Sequence, residues 1–174
     1  MDFNDTTEEA KFRKEAYEWL KANADLKEGP KDGWRSASEE EGLEQVKVWQ
    51  NKLYESGWAC MHWPKEFGGR ESTPIERVIW GQEISKFKVP GGYLEIGQGM
   101  AGPVMMMYAT EEQKARHLPP MARGEEIWCQ LFSEPGAGSD LAGLKTKSVL
   151  EGDTWTINGQ KIWTSGAHFS DWGI

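Results

Sequence analysis

Residues 128–143 read WCQLFSEPGAGSDLAG, and this stretch divides a region of helical periodicity from a region of short strands. The apolar run at 127–132 is short and bounded by Pro and Gly, which predicts a strand entering a tight loop. The glycines at 136 and 138 allow several backbone N–H groups to face one anion, such as a phosphate. The same loop chemistry also suits a plain surface connection between strands. The loop by itself leaves both interpretations open.

Two stronger phosphate-binding motifs are excluded by their spacing. The dinucleotide fingerprint requires a small third residue where this chain has Leu141, and it requires a helix after the loop. The P-loop pattern nearly forms over 138–143, but Leu144 separates its glycine from Lys145. A nucleotide at this loop must therefore be bound in another way.

The residues before the loop predict helices. Capping signals at Thr6, Ser38, Thr73 and Thr110 mark four helix starts. The apolar residues that follow the first three recur at helical spacing and are expected to face a core: Phe12, Ala16, Trp19 and Leu20, then Leu43, Val46, Trp49 and Leu53, then Ile75, Val78, Ile79 and Phe87.

A methionine-rich segment lies later in the helical region. Between 93 and 108 the composition shifts to Gly, Met, Ala and Leu, with Met105, Met106 and Met107 in a row. A helix that is apolar on most faces is usually buried, although methionines also line adaptable pockets for flexible acyl chains. The following helix is expected to end at Leu118-Pro119-Pro120, because proline interrupts the helical hydrogen-bond pattern.

Beyond Gly124 the pattern changes to strands. Residues 145–150, 155–157 and 161–165 each read as a short strand, with turns at 151–153 and at Asn158-Gly159. On a strand, Lys161, Trp163 and Ser165 would share one face. That face suits a flat heterocycle, offering a stacking plane and a hydroxyl, but it equally suits packing beneath the helices.

These patterns define an α+β fold in two domains. We predict an all-α helical domain over 1–124, followed over 125–174 by a truncated antiparallel β-barrel-like domain. Residues 171–174 look like the start of another strand, which leaves an open sheet edge. The chain is therefore expected to be part of a longer protein.

The composition excludes several classes of partner. The chain has 174 residues and a net charge of −8, which argues against nucleic-acid binding and against a polybasic membrane contact. No stretch approaches transmembrane length, and the first residues lack the apolar core of a signal peptide. Its two cysteines form neither a disulfide framework nor a zinc signature, so a cytoplasmic location is expected. Ten tryptophans require large packing partners or a planar ligand.

The usual catalytic constellations are missing from the sequence. His62, His117 and His168 lie far apart, and none has a second His or Cys at metal-ligand spacing. Cys60 beside His62 is interpreted as a buried thiol next to a structural imidazole. There is no G-x-S-x-G nucleophile motif, and no carboxylate stands out as a general base. The sequence therefore predicts no metal site and leaves the catalytic residue unknown.

Several spaced motifs together resemble the acyl-CoA dehydrogenase family of flavoproteins. CQLFSEPGAGSD at 129–140 and NGQKIWTSG at 158–166 follow a helical region in the family's order. GWACMHWPKEFGG at 57–69 and YATEEQKARHLPP at 108–120 resemble two earlier family segments. The resemblance runs from about residue 8 to the end. It implies a helical domain, a middle β-barrel-like domain and a C-terminal bundle, of which this chain carries the first and part of the second.

The resemblance implies FAD as the cofactor and an acyl-CoA thioester as the substrate. Residues 130–139, beginning with Gln130, match the family's first flavin-binding segment. Phe132 and Ser133 would border the isoalloxazine, with Ser133 donating a hydrogen bond near N1 and O2. Gly138 and Ser139 would lie along the path of the FAD phosphates and acyl-CoA, which makes Ser139 a substrate-binding residue as well.

Trp163-Thr164-Ser165 match the family's second flavin-binding segment. By the same resemblance Trp163 would pack on the flavin, and Ser165 would donate towards N5. Two positions depart from the family pattern. Gln130 stands where many members carry an aromatic residue, and Ala109 stands where a glycine is usual.

The implied activity is α,β-dehydrogenation of an acyl-CoA to a 2-enoyl-CoA, within fatty acid metabolism. Electrons would pass to an electron-transfer flavoprotein, and the full-length protein would be a homo-oligomer. The family's catalytic glutamate lies in the C-terminal bundle, so this chain alone is expected to be inactive and to bind FAD weakly or not at all. Two alternatives remain. One is a catalytically inert subunit completed by a separate partner chain, and the other is an acyl-CoA oxidase or flavin monooxygenase of the same fold.

Overall fold

The computed structural model describes residues 4–174, over which five α-helices precede four short strands. The helices are α1 (Thr7–Asn23), α2 (Glu39–Glu55), α3 (Pro74–Ile84), α4 (Gly102–Tyr108) and α5 (Glu111–Arg123). The strands are β1 (Trp128–Cys129), β2 (Lys147–Glu151), β3 (Thr154–Asn158) and β4 (Trp172–Gly173). A π-helical turn (Gly97–Ala101) leads into α4, and single 3₁₀ turns occur at Lys65–Phe67 and Leu141–Gly143.

Side-chain caps start the four longer helices at the predicted residues. The side chains of Thr6, Thr73 and Thr110 each accept a hydrogen bond from the backbone amide three residues later. In return, the side chain of that later residue accepts a hydrogen bond from the backbone amide of the threonine. Ser38 makes only the first of these bonds, because the Glu41 carboxylate accepts from the amide before the cap. These bonds satisfy amides that have no partner within the helix.

The main core brings together buried residues of α1, α2, α3 and α5 with the segment at 58–63. Trp63 is completely buried, and its indole N–H donates to the backbone oxygen of Gln98 at 2.9 Å. Trp58 stacks on Trp80 with ring centroids 4.7 Å apart, while the Arg70 guanidinium lies 3.9 Å from the Trp58 ring. Tryptophans here therefore act mainly as core and cation-contacting groups.

The predicted buried face of α3 is wrong in part. Ile79 is buried as expected, but Ile75 and Val78 are about half exposed. The helix instead turns Glu83 inwards, one turn after Ile79, because Arg13 of α1 pairs with that carboxylate at 2.8 Å. Glu83 lies four residues after Ile79 on the same face, so this face packs against α1 partly through an ion pair.

The segment leading into α4 packs through its small residues rather than through its methionines. Gly97, Ala101 and Gly102 are buried, whereas Met107 and Tyr108 are mostly exposed. A methyl group on Gly102 would overlap the indole of Trp63, so the close approach depends on glycine there. The expectation of a helix buried on most faces is therefore wrong.

Helix α5 continues through its two prolines, contrary to the predicted end at Leu118-Pro119-Pro120. It continues to Arg123 and is capped by Gly124, which adopts the left-handed conformation with φ 76°. Leu118 and Met121 are fully buried on either side of the prolines. Packing of this face keeps the chain helical although two backbone donors are missing.

The β region contains two separate two-stranded sheets within residues 4–174. β2 and β3 form an antiparallel hairpin through Gly152-Asp153, with φ 61° at Gly152, as the sequence predicts. β1 and β4 pair in parallel, with Trp128 opposite Trp172, so the antiparallel expectation is wrong for this pair. The two sheets do not close into a barrel over the described residues.

The third predicted strand, at 161–165, is not a strand. Gly159 lies against Thr146, where an added side chain would collide, so the chain after β3 passes close to the start of β2 instead of turning back at Asn158-Gly159. Trp163 then adopts a left-handed φ of 57°, which interrupts any extended run. The argument that period-two geometry places Trp163 and Ser165 on one face is therefore wrong.

Candidate functional site

The loop at 130–139 and the segment at 161–165 meet side by side even though no strand joins them. The amide of Ile162 donates to the backbone oxygen of Ser133 at 3.0 Å. One residue earlier, the Lys161 ammonium donates to the backbone oxygen of Phe132, also at 3.0 Å. The fold thus brings together the two segments that the sequence motifs single out.

Glu134 lies at the centre of this junction. No pattern in the sequence indicates a role for this residue. Its carboxylate is almost fully buried and accepts hydrogen bonds from the backbone amides of Lys145 and Thr146, at 2.7 and 3.0 Å, and from the Lys161 ammonium at 2.9 Å. Hydrogen bonds from Thr146, from the Lys145 backbone and from Lys161 lower the pKa of Glu134 to about 2. The group is ionised at neutral pH. A loop glutamate before a proline carries no periodic signal that would have revealed this role.

Trp163 is 86% exposed and holds a left-handed backbone conformation. For a residue with a bulky side chain this conformation costs on the order of 1–2 kcal/mol. Strained residues persist where the surrounding structure imposes them, and they concentrate at functional sites. A large exposed aromatic surface in such a conformation suits contact with a planar partner.

The other predicted residues of the second segment lie in a tight turn. Thr164 is half-buried, and its backbone oxygen accepts a hydrogen bond from Ala167. Ser165 is exposed, and its amide donates to the backbone oxygen of Trp163 at 3.1 Å. The Ser165 amide is therefore occupied, which leaves its hydroxyl to reach a ligand.

The first segment combines exposed apolar and polar groups. Phe132 is about one-third exposed, while Gln130 and Ser133 are half-buried. Ala137 and Glu134 exchange two backbone hydrogen bonds, which closes a narrow turn around Pro135-Gly136. The backbone oxygen of Phe132, which accepts from the Lys161 ammonium, lies at the junction with the second segment.

Gly138 and Ser139 follow this turn and are exposed. Their amides have no protein acceptor within residues 4–174, and the space around Gly138 is open. Free amides at an exposed turn suit an anionic group such as a phosphate. An exposed indole, nearby hydroxyls and free amides are together a donor set that fits FAD.

A tryptophan pair connects this site to the helical core. Trp128 of β1 stacks on Trp172 of β4 at 5.9 Å, and the imidazole of His117 lies edge-on to both rings. The Asp171 carboxylate accepts from the amide of Ile127 at 2.8 Å, which fixes where β1 begins. The loop at 130–139 therefore leaves the core from a defined position.

Other candidate chemistries receive no support from the described chain. Residues 4–174 hold no cluster of three His, Cys, Asp or Glu side chains that could bind a metal ion. Burial raises the pKa of the Cys60 thiol to about 12, so this cysteine is protonated at neutral pH. None of the helices between residues 4 and 174 has the length and apolar character needed to cross a membrane.

Comparison with known families identifies the class of protein. The sequence model of the family's N-terminal domain, acyl-CoA dehydrogenase N-terminal domain, matches residues 6–125. The sequence model of the acyl-CoA dehydrogenase middle domain matches residues 129–174. The chain belongs to the acyl-CoA dehydrogenase family, whose members are FAD-dependent oxidoreductases. The family predicted from the motifs is confirmed.

Two curated relatives come from Mycobacterium tuberculosis (strain ATCC 25618 / H37Rv). Acyl-CoA dehydrogenase IpdE1 is 42% identical over 134 residues, which cover 77% of this chain and 35% of the relative. Acyl-CoA dehydrogenase FadE34 is 46% identical over 125 residues, which cover 72% of this chain and 17% of the relative. The chain therefore matches only a minor part of each relative.

Two solved structures share the fold over 99% of this chain. The structure described as Tcur3481-Tcur3483 steroid ACAD has a TM-score of 0.73 at 29% identity, and the match covers 44% of that chain. The ChsE4-ChsE5 complex from Mycobacterium tuberculosis has a TM-score of 0.71 at 30% identity, with 42% of that chain covered. This chain spans less than half the length of these structures.

Proposed function

We propose that this chain forms the flavin-facing N-terminal part of an acyl-CoA dehydrogenase. The complete protein would convert an acyl-CoA thioester to a 2-enoyl-CoA by removing one hydrogen from each of two neighbouring carbons. One observation carries the proposal: the segments at 130–139 and 161–165 lie side by side, and the side chain of Trp163 in the second segment is exposed to solvent. Membership of the family supports dehydrogenation of acyl-CoA in general.

The residues of the second segment would hold the ring of the cofactor. FAD, when bound, accepts the hydride in this chemistry. Trp163 would cover one face of the ring, excluding water from it. Ser165 would donate a hydrogen bond from its hydroxyl to the ring edge, and Thr164 would hold the turn that aims both side chains.

The residues of the first segment would hold the remainder of the cofactor and part of the substrate. Phe132 would border the ring with its apolar edge, and Ser133 would donate a hydrogen bond from its hydroxyl. Gln130 would contact the ring from the end of β1. The free amides of Gly138 and Ser139 would bind phosphate, with Ser139 also facing the acyl-CoA.

The base that removes the α-proton would come from outside these 174 residues. The two buried carboxylates of the described chain, Glu83 and Glu134, are both held by cations. With a pKa of about 2, Glu134 is too weak a base to remove a proton at neutral pH. We place the base in a C-terminal region of the same protein.

A second candidate is a subunit completed by a separately encoded chain. Two solved structures that share this fold are described by pairs of names, Tcur3481-Tcur3483 and ChsE4-ChsE5. Under this alternative the base and part of the cofactor site would lie on the partner chain. Co-purification of a second chain that supplies a helical bundle would favour it over a single longer protein.

The experiment that tests the proposal measures turnover with and without the missing part. The purified 174-residue chain is mixed with FAD, an electron acceptor and a panel of linear and steroid-derived acyl-CoA thioesters. We expect no 2-enoyl-CoA from this chain alone, and product from the longer protein that also carries the C-terminal region. Turnover by the isolated chain would contradict our placement of the base.

The fate of the electrons separates a dehydrogenase from an oxidase or monooxygenase of the same fold. We propose an electron-transfer flavoprotein as the acceptor, and a homo-oligomeric full-length protein in the cytoplasm. Two buried free cysteines are consistent with a reducing compartment. Rapid reoxidation of the reduced, complete protein by oxygen alone would instead favour the oxidase or monooxygenase.

A further inference from the structure

One ion pair joins the two segments of the candidate site. The Lys161 ammonium lies 2.9 Å from a Glu134 oxygen, and the Glu134 side chain is only 6% exposed. The same ammonium donates to the backbone oxygen of Phe132, and the same carboxylate accepts from the amides of Lys145 and Thr146. Three stretches that are distant in sequence therefore converge on these two side chains.

We propose that Glu134 and Lys161 are positioning residues whose ion pair sets the affinity of the site for flavin. The pair holds the loop at 130–139 against the segment at 161–165 and thereby fixes where Trp163 is presented. The inference rests on the proposed function, because it concerns the same site. Neither residue needs to touch the cofactor for the pair to act in this way.

The order of the contacts along the chain explains how the pair would act on Trp163. Lys161 bonds to the backbone of Phe132, and the next residue, Ile162, bonds to the backbone of Ser133. Trp163 follows directly. Without the ammonium, the Ile162 bond would be the one hydrogen bond left between the two segments within residues 4–174.

The conformation of Trp163 supports the same conclusion. Its left-handed φ of 57° is unfavourable and persists only where neighbouring contacts impose it. Lys161 and Ile162 supply the contacts immediately before it. Loss of the pair should therefore release Trp163 towards an ordinary backbone conformation and misplace its indole.

Lys145 provides a matched control for charge. Its side chain is exposed and has no partner among residues 4–174, although its backbone amide donates to Glu134. Lys145→Met removes the same charge from the same region without breaking the Glu134–Lys161 pair. If general attraction between lysine and phosphate set the affinity, Lys145→Met and Lys161→Met would weaken binding alike.

The test uses the complete protein, which carries these 174 residues together with the region that supplies the base. The protein is labelled with ¹⁵N, and FAD is the probe. The indole signal of Trp163 is assigned with Trp163→Phe and followed during titration with FAD. Amide hydrogen exchange at Ile162 is measured in the absence of FAD. The variants are Lys161→Met, Lys161→Arg, Glu134→Gln and Lys145→Met, with urea denaturation as the measure of overall folding.

We expect Lys161→Met and Glu134→Gln to weaken FAD binding about tenfold and to speed exchange at Ile162. Lys161→Arg, which can still pair with the carboxylate, should retain most of the native affinity. Lys145→Met should behave as the native chain. A variant that lowers the urea midpoint but leaves both the FAD affinity and the Ile162 exchange unchanged shows a purely structural role and overturns the proposal.

The outcomes separate this inference from the proposed function. If the native chain binds FAD and Lys161→Met binds it equally well, the positioning role is wrong while the flavin site stands. If FAD at high concentration leaves the Trp163 signal of the complete native protein unchanged, the flavin site itself is wrong, and the link to affinity fails with it. In that case accelerated exchange at Ile162 in Lys161→Met would assign the pair to the fold alone.

Discussion

Replacing Trp163 with alanine should weaken flavin binding without destabilising the fold. The side chain is 86% exposed, so its loss should change the free energy of unfolding by no more than about 0.5 kcal/mol. Stacking of a planar heterocycle on an aromatic side chain contributes about 1–3 kcal/mol, which corresponds to roughly 5- to 150-fold in affinity. Titration of the complete native and variant proteins with FAD measures the affinity, and urea denaturation measures the stability.

Trp155→Ala is the matched control, because Trp155 is also exposed, at 60%, but lies on the β2–β3 hairpin. It should leave FAD affinity unchanged. Trp163→Gly extends the test, because glycine adopts φ 57° freely and should unfold at a higher urea concentration than Trp163→Ala. Equal losses of affinity at Trp155 and Trp163, or no loss at Trp163, would refute the assignment of the stacking surface.

Three further predictions follow from individual contacts. Gly102→Ala should lower the free energy of unfolding by about 2 kcal/mol, because the added methyl group would overlap the Trp63 indole and this overpacking outweighs the gain in helix propensity. Urea denaturation measures the change, and Gly99→Ala, whose added methyl group would meet open space, is the control. Ionised Glu134 should stabilise the fold above its unfolded-state pKa of about 4.3, and this contribution should be lost as pH falls through about 2; an acid titration of Glu134→Gln with an unchanged slope would contradict it. Cys60, whose pKa burial raises to about 12, should resist alkylation in the native chain but not in urea, as mass spectrometry can show.

Local chemistry explains which parts of the fold could be predicted from the sequence. The caps at Thr6, Thr73 and Thr110 act within three residues, so their signals are complete in the sequence itself. The Gly152-Asp153 turn is equally local. Pro119 and Pro120 are different, because the burial that keeps α5 helical around them comes from distant parts of the chain.

The candidate site could be predicted only in part for the same reason. Trp163 stands out in a motif, but its left-handed conformation depends on the contacts of Lys161 and Ile162 with residues almost 30 positions away. Asn158-Gly159 is a strong local turn signal that tertiary contacts with Thr146 override. The role of Glu134 was invisible, because an isolated loop carboxylate shows nothing of the three donors that surround it.

The two prolines of α5 make the stability of this helix depend on side-chain packing around them. Pro119 and Pro120 cannot donate to the carbonyls one turn earlier, so the middle of the helix is secured by side-chain burial at Leu118 and Met121 rather than by its backbone. Only a few residues separate the end of α5 from Trp128 in β1. A cavity opened at Met121 would therefore destabilise the last turn of α5 and shift β1, from which the loop at 130–139 starts. A substitution in the core would in this way alter the surface where the two segments meet.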